Sequence, residues 1–315
     1  MVYSVVIPAY NEEEVITESY KRLTSVMLSM QEPYELIFVN DGSRDRTAHI
    51  IAEILQYDPN VRLISFARNF GHSSAITAGM KYARGSAVIL IDADLQDPPE
   101  VLPDMAALWK EGYDVVYGKR KERQGETLFK KISAKWFYRF INSMVPIDLP
   151  LDAGDFRLMD RKVCDAVNRL EEKHRYIRGL VSWVGFRQIG YEYIRAERFA
   201  GTTKYPFRKM MSFAMDAITA FSYRPLKLAT TLGFLISLCS FAYLVIIFFQ
   251  RIFTDTTIAG WASTMALILF TQGIVLMILG LMGEYIGRIF EEVKNRPIYI
   301  VREVLGYDKK DNDAT

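Results

Sequence analysis

The most restrictive feature of this sequence is a pair of long uncharged segments near its C-terminal end. Residues 228–249 and 256–283 contain no aspartate, glutamate, lysine or arginine over 22 and 28 positions respectively. A bilayer core about 30 Å thick requires roughly 20 apolar residues in helical form, so each segment is long enough to cross a membrane. The pair predicts two transmembrane helices, at about 228–249 and 260–283. A purely soluble protein, a disordered chain and a disulfide scaffold are excluded.

Basic residues flank this pair on its outer sides, whereas the connection at about 250–257 holds a single arginine. The rule that cytoplasmic flanks are rich in lysine and arginine therefore predicts that both termini and the large N-terminal part lie in the cytoplasm. We expect a protein integral to the cytoplasmic membrane, with the lipid bilayer as one partner. The outer cations are Lys204, Arg208, Lys209, Arg224 and Lys227 on one side, and Arg288, Lys294, Arg296 and Arg302 on the other.

The first 120 residues have the pattern of a water-soluble α/β domain. Short β-branched runs alternate with amphipathic stretches of helical period, which predicts a mostly parallel sheet covered by helices on both faces. In such sheets ligands bind beyond the carboxyl ends of the strands. The predicted strands are 3–7, 35–39, 61–66, 87–91 and 114–117, and the predicted helices are about 13–29, 44–56, 73–82 and 99–111.

Two later segments have one apolar, aromatic face and one basic face. In residues 128–144 the apolar side chains follow i, i+3, i+4 spacing with lysine and arginine between them, and residues 205–223 lead directly into the first uncharged segment. This pattern is typical of helices that lie in the membrane interface. A helix buried in a larger soluble core is the alternative reading for 128–144.

The overall charge gives little support to nucleic acid as a partner. The chain has 39 lysines and arginines against 37 acidic residues, a formal net charge of +2, and no long basic run. Nucleic-acid-binding domains are commonly far more basic. We expect no nucleic-acid partner.

Carboxylates follow the predicted strands at the edge where a ligand would bind. Asp41 follows the second strand, and the run VILIDADLQDPPE places Asp92 and Asp94 directly after a buried one. No GxGxxG or GxxxxGK[ST] loop follows any predicted strand, so another device must neutralise phosphates if a nucleotide binds. Carboxylates two residues apart on an extended segment can bind one hard cation, either Mg²⁺ or Mn²⁺. The alternative role for acids after a strand is helix capping, which suits Asp97 before Pro98 and Pro99.

Several motifs occur together and in order. They include VVIPAYNEEEVI, FVNDGSRDRT, RNFGHSSAITAGMKYARGSAVILIDADLQDPPE, GDFRLMDR, RFAGTTKYPFRKM and, after the uncharged pair, EYIGRIFEEVKNRPIYIV. In this combination the sequence resembles glycosyltransferase family 2 with the GT-A fold. Within that family it resembles polyprenyl-phosphate glycosyltransferases of the dolichyl-phosphate mannose synthase-like type with two C-terminal transmembrane helices. The QxxRW motif of the processive members is absent.

The resemblance implies roles for residues at matching positions. It implies a divalent metal, Mg²⁺ or Mn²⁺, held at a DxD element, and a catalytic carboxylate near the acceptor. The donor-nucleotide residues would be Pro8, Tyr10, Glu12, Asp41 and Asp92; the metal residues Asp92, Asp94 and Gln96; the catalytic residues Asp155, Asp92 and Asp94; and the phosphate or acceptor residues Arg120, Arg157, Arg198 and Lys204. Glu12 could instead favour a helix start, Arg120 a solvated strand end, and Lys204 an anchor to anionic lipid.

The activity implied by the resemblance is inverting transfer of one sugar from a nucleotide sugar, UDP-linked in the first instance, to polyprenyl (undecaprenyl) phosphate at the cytoplasmic membrane face. The product would be a lipid-phosphate-linked sugar. A phosphate monoester is largely dianionic at neutral pH, so we expect Asp155 to act first by orientation and electrostatics and second as a general base. Two alternatives stay open: transfer to another membrane acceptor, either a glycolipid or a glycan, and a non-catalytic membrane assembly or translocation protein.

The chain divides into four predicted parts. These are a nucleotide-sugar-binding core at 1–125, an acceptor-side segment with interfacial helices at 126–225, the two spans within 226–288, and a cytoplasmic tail at 289–315. Association through the spans into a homo-oligomer, with a tetramer as the first guess, is expected from the resemblance.

Overall fold

The computed structural model describes residues 1–121, 153–195, 224–253 and 260–307. These residues belong to two compact units. The first contains the described residues up to 195 together with 297–307, and the second contains 224–253 and 260–296. The predicted interfacial segments 128–144 and 205–223 lie outside the described residues.

The first unit alternates strands and helices along most of its length. Its strands are β1 (Tyr3–Ala9), β2 (Tyr34–Asn40), β3 (Val61–Phe66), β4 (Ala87–Leu90), β5 (Val115–Arg120), β6 (Ala153–Asp160), β7 (Gln188–Tyr193) and β8 (Val301–Leu305). Its helices are α1 (Ile16–Ser29), α2 (Thr47–Leu55), α3 (His72–Tyr82), α4 (Leu102–Lys110), α5 (Arg161–Asn168) and α6 (Ile177–Trp183), with a short 3₁₀ turn at Pro99–Val101 before α4.

The eight described strands form one mixed sheet in the order β7-β5-β6-β4-β1-β2-β3-β8. Strands β4, β1, β2 and β3 are parallel neighbours, as the alternating pattern predicts. Strand β6 lies antiparallel between β4 and β5, and β8 closes the opposite edge antiparallel to β3. The prediction of an α/β fold is confirmed, and the tail segment that contains β8 belongs to the sheet.

The centre of the sheet is fully buried on both faces. Every residue of β1, β2 and β4 is buried, which fits their continuous apolar runs, because a parallel sheet covered by helices has no solvated face. Helix α3 approaches β1 so closely that a Cβ atom on Gly79 would lie 2.1 Å from Cγ1 of Val6. Because α3 connects β3 to β4, which run parallel in the same sheet, it returns antiparallel to them and begins with His72 at the carboxyl edge.

The second unit consists of two long helices, α7 (Arg224–Phe253) and α8 (Trp261–Lys294). The two predicted spans fall within them. Within the described residues, Phe270–Lys294 is one helical segment long and apolar enough to cross a membrane, and it is not buried in the protein. The shorter Ala229–Tyr243 is also an apolar helical segment. Length and composition of this unit therefore support association with a membrane.

Candidate active site

The segment that follows β4 carries the predicted metal-binding residues. Asp92, Asp94 and Gln96 are partly exposed, whereas the residues between and beside them are buried. The three oxygen-bearing side chains are therefore the ones that this segment leaves accessible to a ligand. The turn is completed by Leu95 with a left-handed φ of 58° and by a bond of 3.1 Å from the Gln96 N–H to Oδ1 of Asp94.

The register of β6 brings Asp155 to the same place. In the antiparallel pairing of β4 with β6, Ile89 is opposite Leu158 and Leu90 is opposite Arg157. The same register continued by two residues sets Asp92 opposite Asp155. His72 confirms the proximity, because its Nε2 lies 3.5 Å from Oδ1 of Asp92 and 3.5 Å from Oδ2 of Asp155.

A second cation contacts Asp155 from the other side. Arg178, on α6, donates from Nε to Oδ1 of Asp155 at 2.8 Å and from Nη2 to Oδ2 at 3.0 Å. Two parallel N–H···O bonds of this kind fix both the position and the plane of a carboxylate. Asp155 is therefore held between a guanidinium and an imidazole.

The charges in this cluster shift one another's pKa values. Burial and the neighbouring carboxylates Asp155 and Asp94 raise the pKa of Asp92 to about 6, against the lowering effect of His72. Burial would raise the pKa of Asp155, but its bonds with His72 and Arg178 hold it well below the usual range. Burial would lower the pKa of His72, yet the hydrogen bond with Asp155 and the charge of Asp92 raise it to about 9. At neutral pH the cluster contains a protonated His72 beside an ionised Asp155.

Asp97, three residues after Asp94, is fully buried and surrounded by polar partners. The hydroxyl of Tyr193 donates to its Oδ1. Nη2 of Arg120 and Nε of Arg195 lie 4.0 Å and 3.6 Å from the same oxygen. Both arginine side chains are partly exposed. Asp97 therefore anchors a pair of cations next to the segment that carries Asp92 and Asp94. Its environment is that of an ion-pair centre in place of the predicted helix cap.

Asp41 is buried at the end of β2, and its carboxylate faces backbone donors. The N–H groups of Phe70 and Gly71 donate to Oδ1 and Oδ2 at 2.7 Å and 2.9 Å. Burial raises the pKa of Asp41 in spite of these two bonds. Because Gly71 directly precedes His72, Asp41 fixes the turn from which His72 reaches the cluster.

The loops after β1 and β2 are joined to each other by reciprocal hydrogen bonds. The N–H of Glu12 donates to Oγ1 of Thr47 at 2.8 Å, and the N–H of Arg44 donates to Oδ1 of Asn11 at 2.9 Å. Tyr10, an exposed residue, lies in the first of these loops, while Pro8 lies within buried β1. The carbonyl of Glu12 also accepts the first bonds of the turn that leads into α1.

Arg157 occupies a buried position beneath the cluster. Its Nη2 donates to the carbonyl of Gly154 at 2.9 Å and its Nε donates to the carbonyl of Asp155 at 3.2 Å. Burial lowers its pKa to about 10. The described contacts of this predicted phosphate residue are with the backbone that carries Asp155. Arg198 and Lys204 lie outside the described residues.

Three residues of this region were not assigned to it from the sequence: His72, Arg178 and Arg195. The motif RNFGHSS gives His72 one signal, a glycine followed by a helix start at the carboxyl edge of the sheet, but a loop-ordering role is the simpler reading of that signal. Arg178 and Arg195 have no local signal, because short helix α6 and the end of β7 reach the site through tertiary pairing alone.

Fold and site together define the class: an α/β domain with an acidic centre at the carboxyl edge of its sheet, joined to an apolar helical hairpin. Residues 4–167 match the glycosyl transferase family 2, and residues 224–289 match the GtrB C-terminal hairpin. The chain belongs to glycosyl transferase family 2, which confirms the resemblance found in the sequence motifs.

Full-length relatives support this assignment. The uncharacterized glycosyltransferase YkcC of Bacillus subtilis (strain 168) is 56% identical over 308 residues, covering 98% of this chain and 95% of that protein. The SfII prophage-derived bactoprenol glucosyl transferase of Shigella flexneri is 40% identical over 303 residues, covering 96% of this chain and 98% of that protein. Among solved structures, residues 1–349 of S. aureus TarS in complex with UDP-GlcNAc match with a TM-score of 0.46 and 20% identity, covering 70% of this chain and 66% of that chain.

Proposed function

We propose that this protein transfers a single sugar from a nucleotide sugar, UDP-linked in the first instance, to polyprenyl phosphate at the cytoplasmic face of a membrane. The observation that carries the proposal is 40% identity over nearly the whole chain to a bactoprenol glucosyl transferase, catalytic domain and hairpin included. Bactoprenol is a polyprenyl alcohol, so the name of this relative supports a polyprenyl phosphate as the acceptor.

The residues after β4 fit a divalent cation. Asp92, Asp94 and Gln96 are the partly exposed oxygen-bearing side chains of this segment, and burial together with the neighbouring carboxylates raises the pKa of Asp92. Within the described parts of the chain there is no group of three or more histidine, cysteine, aspartate or glutamate ligands that would hold a metal alone. Mg²⁺ and its relatives are commonly bound by one or two carboxylates, with substrate phosphates and water completing the shell. This donor set therefore suits a cation that binds together with the donor diphosphate.

Asp92 and Asp94, with Gln96, would hold that cation. When bound, it supplies positive charge that stabilises the leaving nucleoside diphosphate. Pro8, Tyr10, Glu12 and Asp41 would line the nucleotide, with Asp41 acting at least in part through the turn at Gly71 that it fixes. Arg120, beside Asp97, would contact donor phosphate.

Asp155 would act mainly through its charge and orientation. A general base must accept a proton near the working pH, and the bonds from His72 and Arg178 hold the pKa of Asp155 far below that range. The acceptor phosphate has a second pKa of about 6 and needs little deprotonation. Asp155 would stabilise positive character on the sugar carbon while the phosphate attacks from the opposite side to the leaving group. Direct displacement of this kind inverts the anomeric centre, so an α-linked donor gives a β-linked lipid phosphosugar.

The membrane arrangement follows the charge distribution of the sequence. Two spans would be formed within α7 and α8, with both termini and the catalytic domain in the cytoplasm. Arg198 and Lys204 would screen the lipid phosphate near the membrane surface, and Arg157 would support Asp155 from beneath. Association of hairpins into a homo-oligomer, with a tetramer as the first guess, stays a prediction.

A transfer assay tests the proposal. The full-length protein in membranes or detergent is incubated with radiolabelled nucleotide sugars, polyprenyl phosphate and either Mg²⁺ or Mn²⁺. We expect a lipid product that mild acid cleaves, that requires the divalent cation, and that disappears in Asp94→Asn. A reaction that proceeds equally after chelation argues against the metal. Transfer to diacylglycerol or to a glycan in place of polyprenyl phosphate refutes the proposed acceptor.

Kinetics of Asp155→Asn between pH 5 and 8 separate its two roles. A uniform loss of kcat across this range supports orientation and electrostatics. A loss that grows only at low pH supports a general base.

A further inference from the structure

The ion pair between Arg178 and Asp155 is two-pronged and lies in a half-open position. Nε and Nη2 of Arg178 donate to the two different carboxylate oxygens at 2.8 Å and 3.0 Å. The Asp155 side chain is 18% exposed and that of Arg178 37% exposed. A single point charge would leave the carboxylate free to rotate, but a planar fork with two bonds fixes its plane.

Other contacts restrain the same aspartate but do not fix its plane. Nε2 of His72 is 3.5 Å from Oδ2, and Arg157 donates to the backbone carbonyl of Asp155 from the buried side. Neither contact grips both carboxylate oxygens. Among the described residues, the fork of Arg178 is the contact that determines how the Asp155 carboxylate is turned relative to Asp92 across the register of β4 and β6.

We propose that Arg178 is a positioning residue for sugar transfer, which holds the Asp155 carboxylate in its working orientation and prevents it from rotating toward other cations of the site. This inference rests on the proposed function and adds to it a residue outside the family motifs that carry the resemblance. Arg178 acts through Asp155, so its contribution exists only while that carboxylate is present. A residue that bound substrate phosphate directly would contribute in either case.

The packing of α6 depends on residues other than Arg178, so the positioning role can be tested apart from the stability of the helix. Helix α6 packs into the first unit through buried Ile177, Leu180 and Val181. Arg178 is not among the buried residues of α6, and its side chain is more than one-third exposed. Replacement of Arg178 is therefore expected to leave α6 in place.

The first measurement is steady-state kinetics of the full-length protein with Arg178 replaced. A misplacement of about 1 Å in a catalytic group costs roughly 100-fold in rate, and this is the expected loss of kcat in Arg178→Ala. The donor KM is expected to change by less than about 3-fold, because the loss lies in the transition state. Arg178→Lys keeps the positive charge but lacks the two-pronged guanidinium, so its kcat should lie between those of the wild type and Arg178→Ala. Free guanidinium at tens of millimolar should restore part of the kcat of Arg178→Ala.

The decisive measurement is a double-mutant cycle with Asp155→Asn. If Arg178 works through Asp155, Arg178→Ala should cost less than about 3-fold further in the Asp155→Asn background, because residues acting as a unit are strongly non-additive. The matched control is Arg22, which makes the same two-pronged bond to Glu100 at 2.9 Å and 2.7 Å on the surface. Arg22→Ala should keep wild-type kcat and should not respond to guanidinium.

Three results would overturn the inference: wild-type kcat in Arg178→Ala, a full 100-fold loss in the Asp155→Asn background, or a loss expressed mainly in the acceptor KM. Should Arg178→Ala fail to fold, Arg178→Lys and Arg178→Gln are entered into the same cycle. The proposed acceptor is judged separately, on the wild type. If that protein makes no lipid-linked sugar but hydrolyses the nucleotide sugar, the proposed acceptor is wrong. The double-mutant cycle is then measured on the kcat of hydrolysis.

Discussion

Removal of the Asp41 carboxylate should release the turn that carries His72 while the rest of the domain stays folded. Asp41 is 3% exposed and accepts the N–H groups of Phe70 and Gly71. In Asp41→Ala both donors lose their acceptor, at a cost of about 1–3 kcal/mol for each buried group left unsatisfied.

Two features reduce that sum. Both amides lie in partly buried positions where water can replace the carboxylate. The raised pKa of Asp41 also shows that burial of its charge outweighs what the two bonds return, so the substitution relieves a desolvation cost. We therefore expect a net local loss of about 2 kcal/mol in Asp41→Ala, or roughly 30-fold faster exchange of these amides. Asp41→Asn keeps one acceptor oxygen and should cost about half as much free energy.

Amide hydrogen exchange measured by mass spectrometry on the full-length protein tests this directly. Faster exchange should be confined to the peptide that contains Phe70, Gly71 and His72, with helices α1 and α4 unchanged. Wild-type protection at these amides would refute the assigned contacts. Equally faster exchange throughout the first unit would show that Asp41 stabilises the whole domain and not the turn.

Three further predictions concern packing, the Asp97 centre and pH. Gly79→Ala should destabilise the first unit by about 1–3 kcal/mol in thermal unfolding, because the new methyl meets Cγ1 of Val6, and Val6→Ala should restore part of the loss. Tyr193→Phe should cost about 1 kcal/mol, because it removes the buried hydroxyl that donates to Asp97. Burial would raise the pKa of Asp45, but the hydrogen bonds that it accepts from Thr47 and nearby backbone N–H groups lower it below 3.8. The contribution of Asp45 to stability is therefore present above pH 3.8 and is lost as the pH falls through the lowered pKa. Asp45→Asn should differ from wild type in its free energy of unfolding at pH 7 and converge with it in stronger acid.

Tyr193→Phe has a matched control, and each of the three predictions has a result that would contradict it. Tyr191→Phe removes a hydroxyl that donates to Asp104 at an exposed position, and its cost should be smaller than that of Tyr193→Phe. Equal costs would show that burial of the Asp97 centre does not matter. A Gly79→Ala protein as stable as wild type would contradict the close contact with Val6. A difference in unfolding free energy between Asp45→Asn and wild type that persists in acid would contradict the hydrogen bonds assigned to Asp45.

The sequence predicted the elements of the first 120 residues well, since each is defined by local periodicity. Predicted strands 61–66 and 87–91 correspond to Val61–Phe66 and Ala87–Leu90, and predicted helix 73–82 corresponds to His72–Tyr82. From the sequence alone, the carboxyl-edge rule for parallel sheets then predicts Asp41, Asp92 and Asp94 at one edge of the sheet.

Local periodicity does not predict the pairing partners of the later strands. Strand β6 enters antiparallel between β4 and β5. Strand β8 is formed by residues more than 180 positions further along the chain than β5, yet it pairs with the early strand β3 at the opposite edge of the sheet from β7. Such pairings depend on which edges remain open after the first strands have assembled, and no local pattern records them. The burial of Arg157, which lies between β4 and β5, and the ion-pair role of Asp97 follow from these pairings.

The sequence by itself determined the class of this protein: periodicity defines an α/β domain, the uncharged segments define an apolar hairpin, and the motifs define glycosyl transferase family 2. Only the tertiary structure decided how the acidic centre is held. The register of β4 against β6 sets Asp155 across from Asp92, and α3 and α6 then bring His72 and Arg178 to it from distant positions in the chain. The physical reason is that strand period and hydrophobicity are properties of neighbouring residues, whereas the environment that sets a carboxylate's charge and orientation is assembled from elements that meet only in the folded chain.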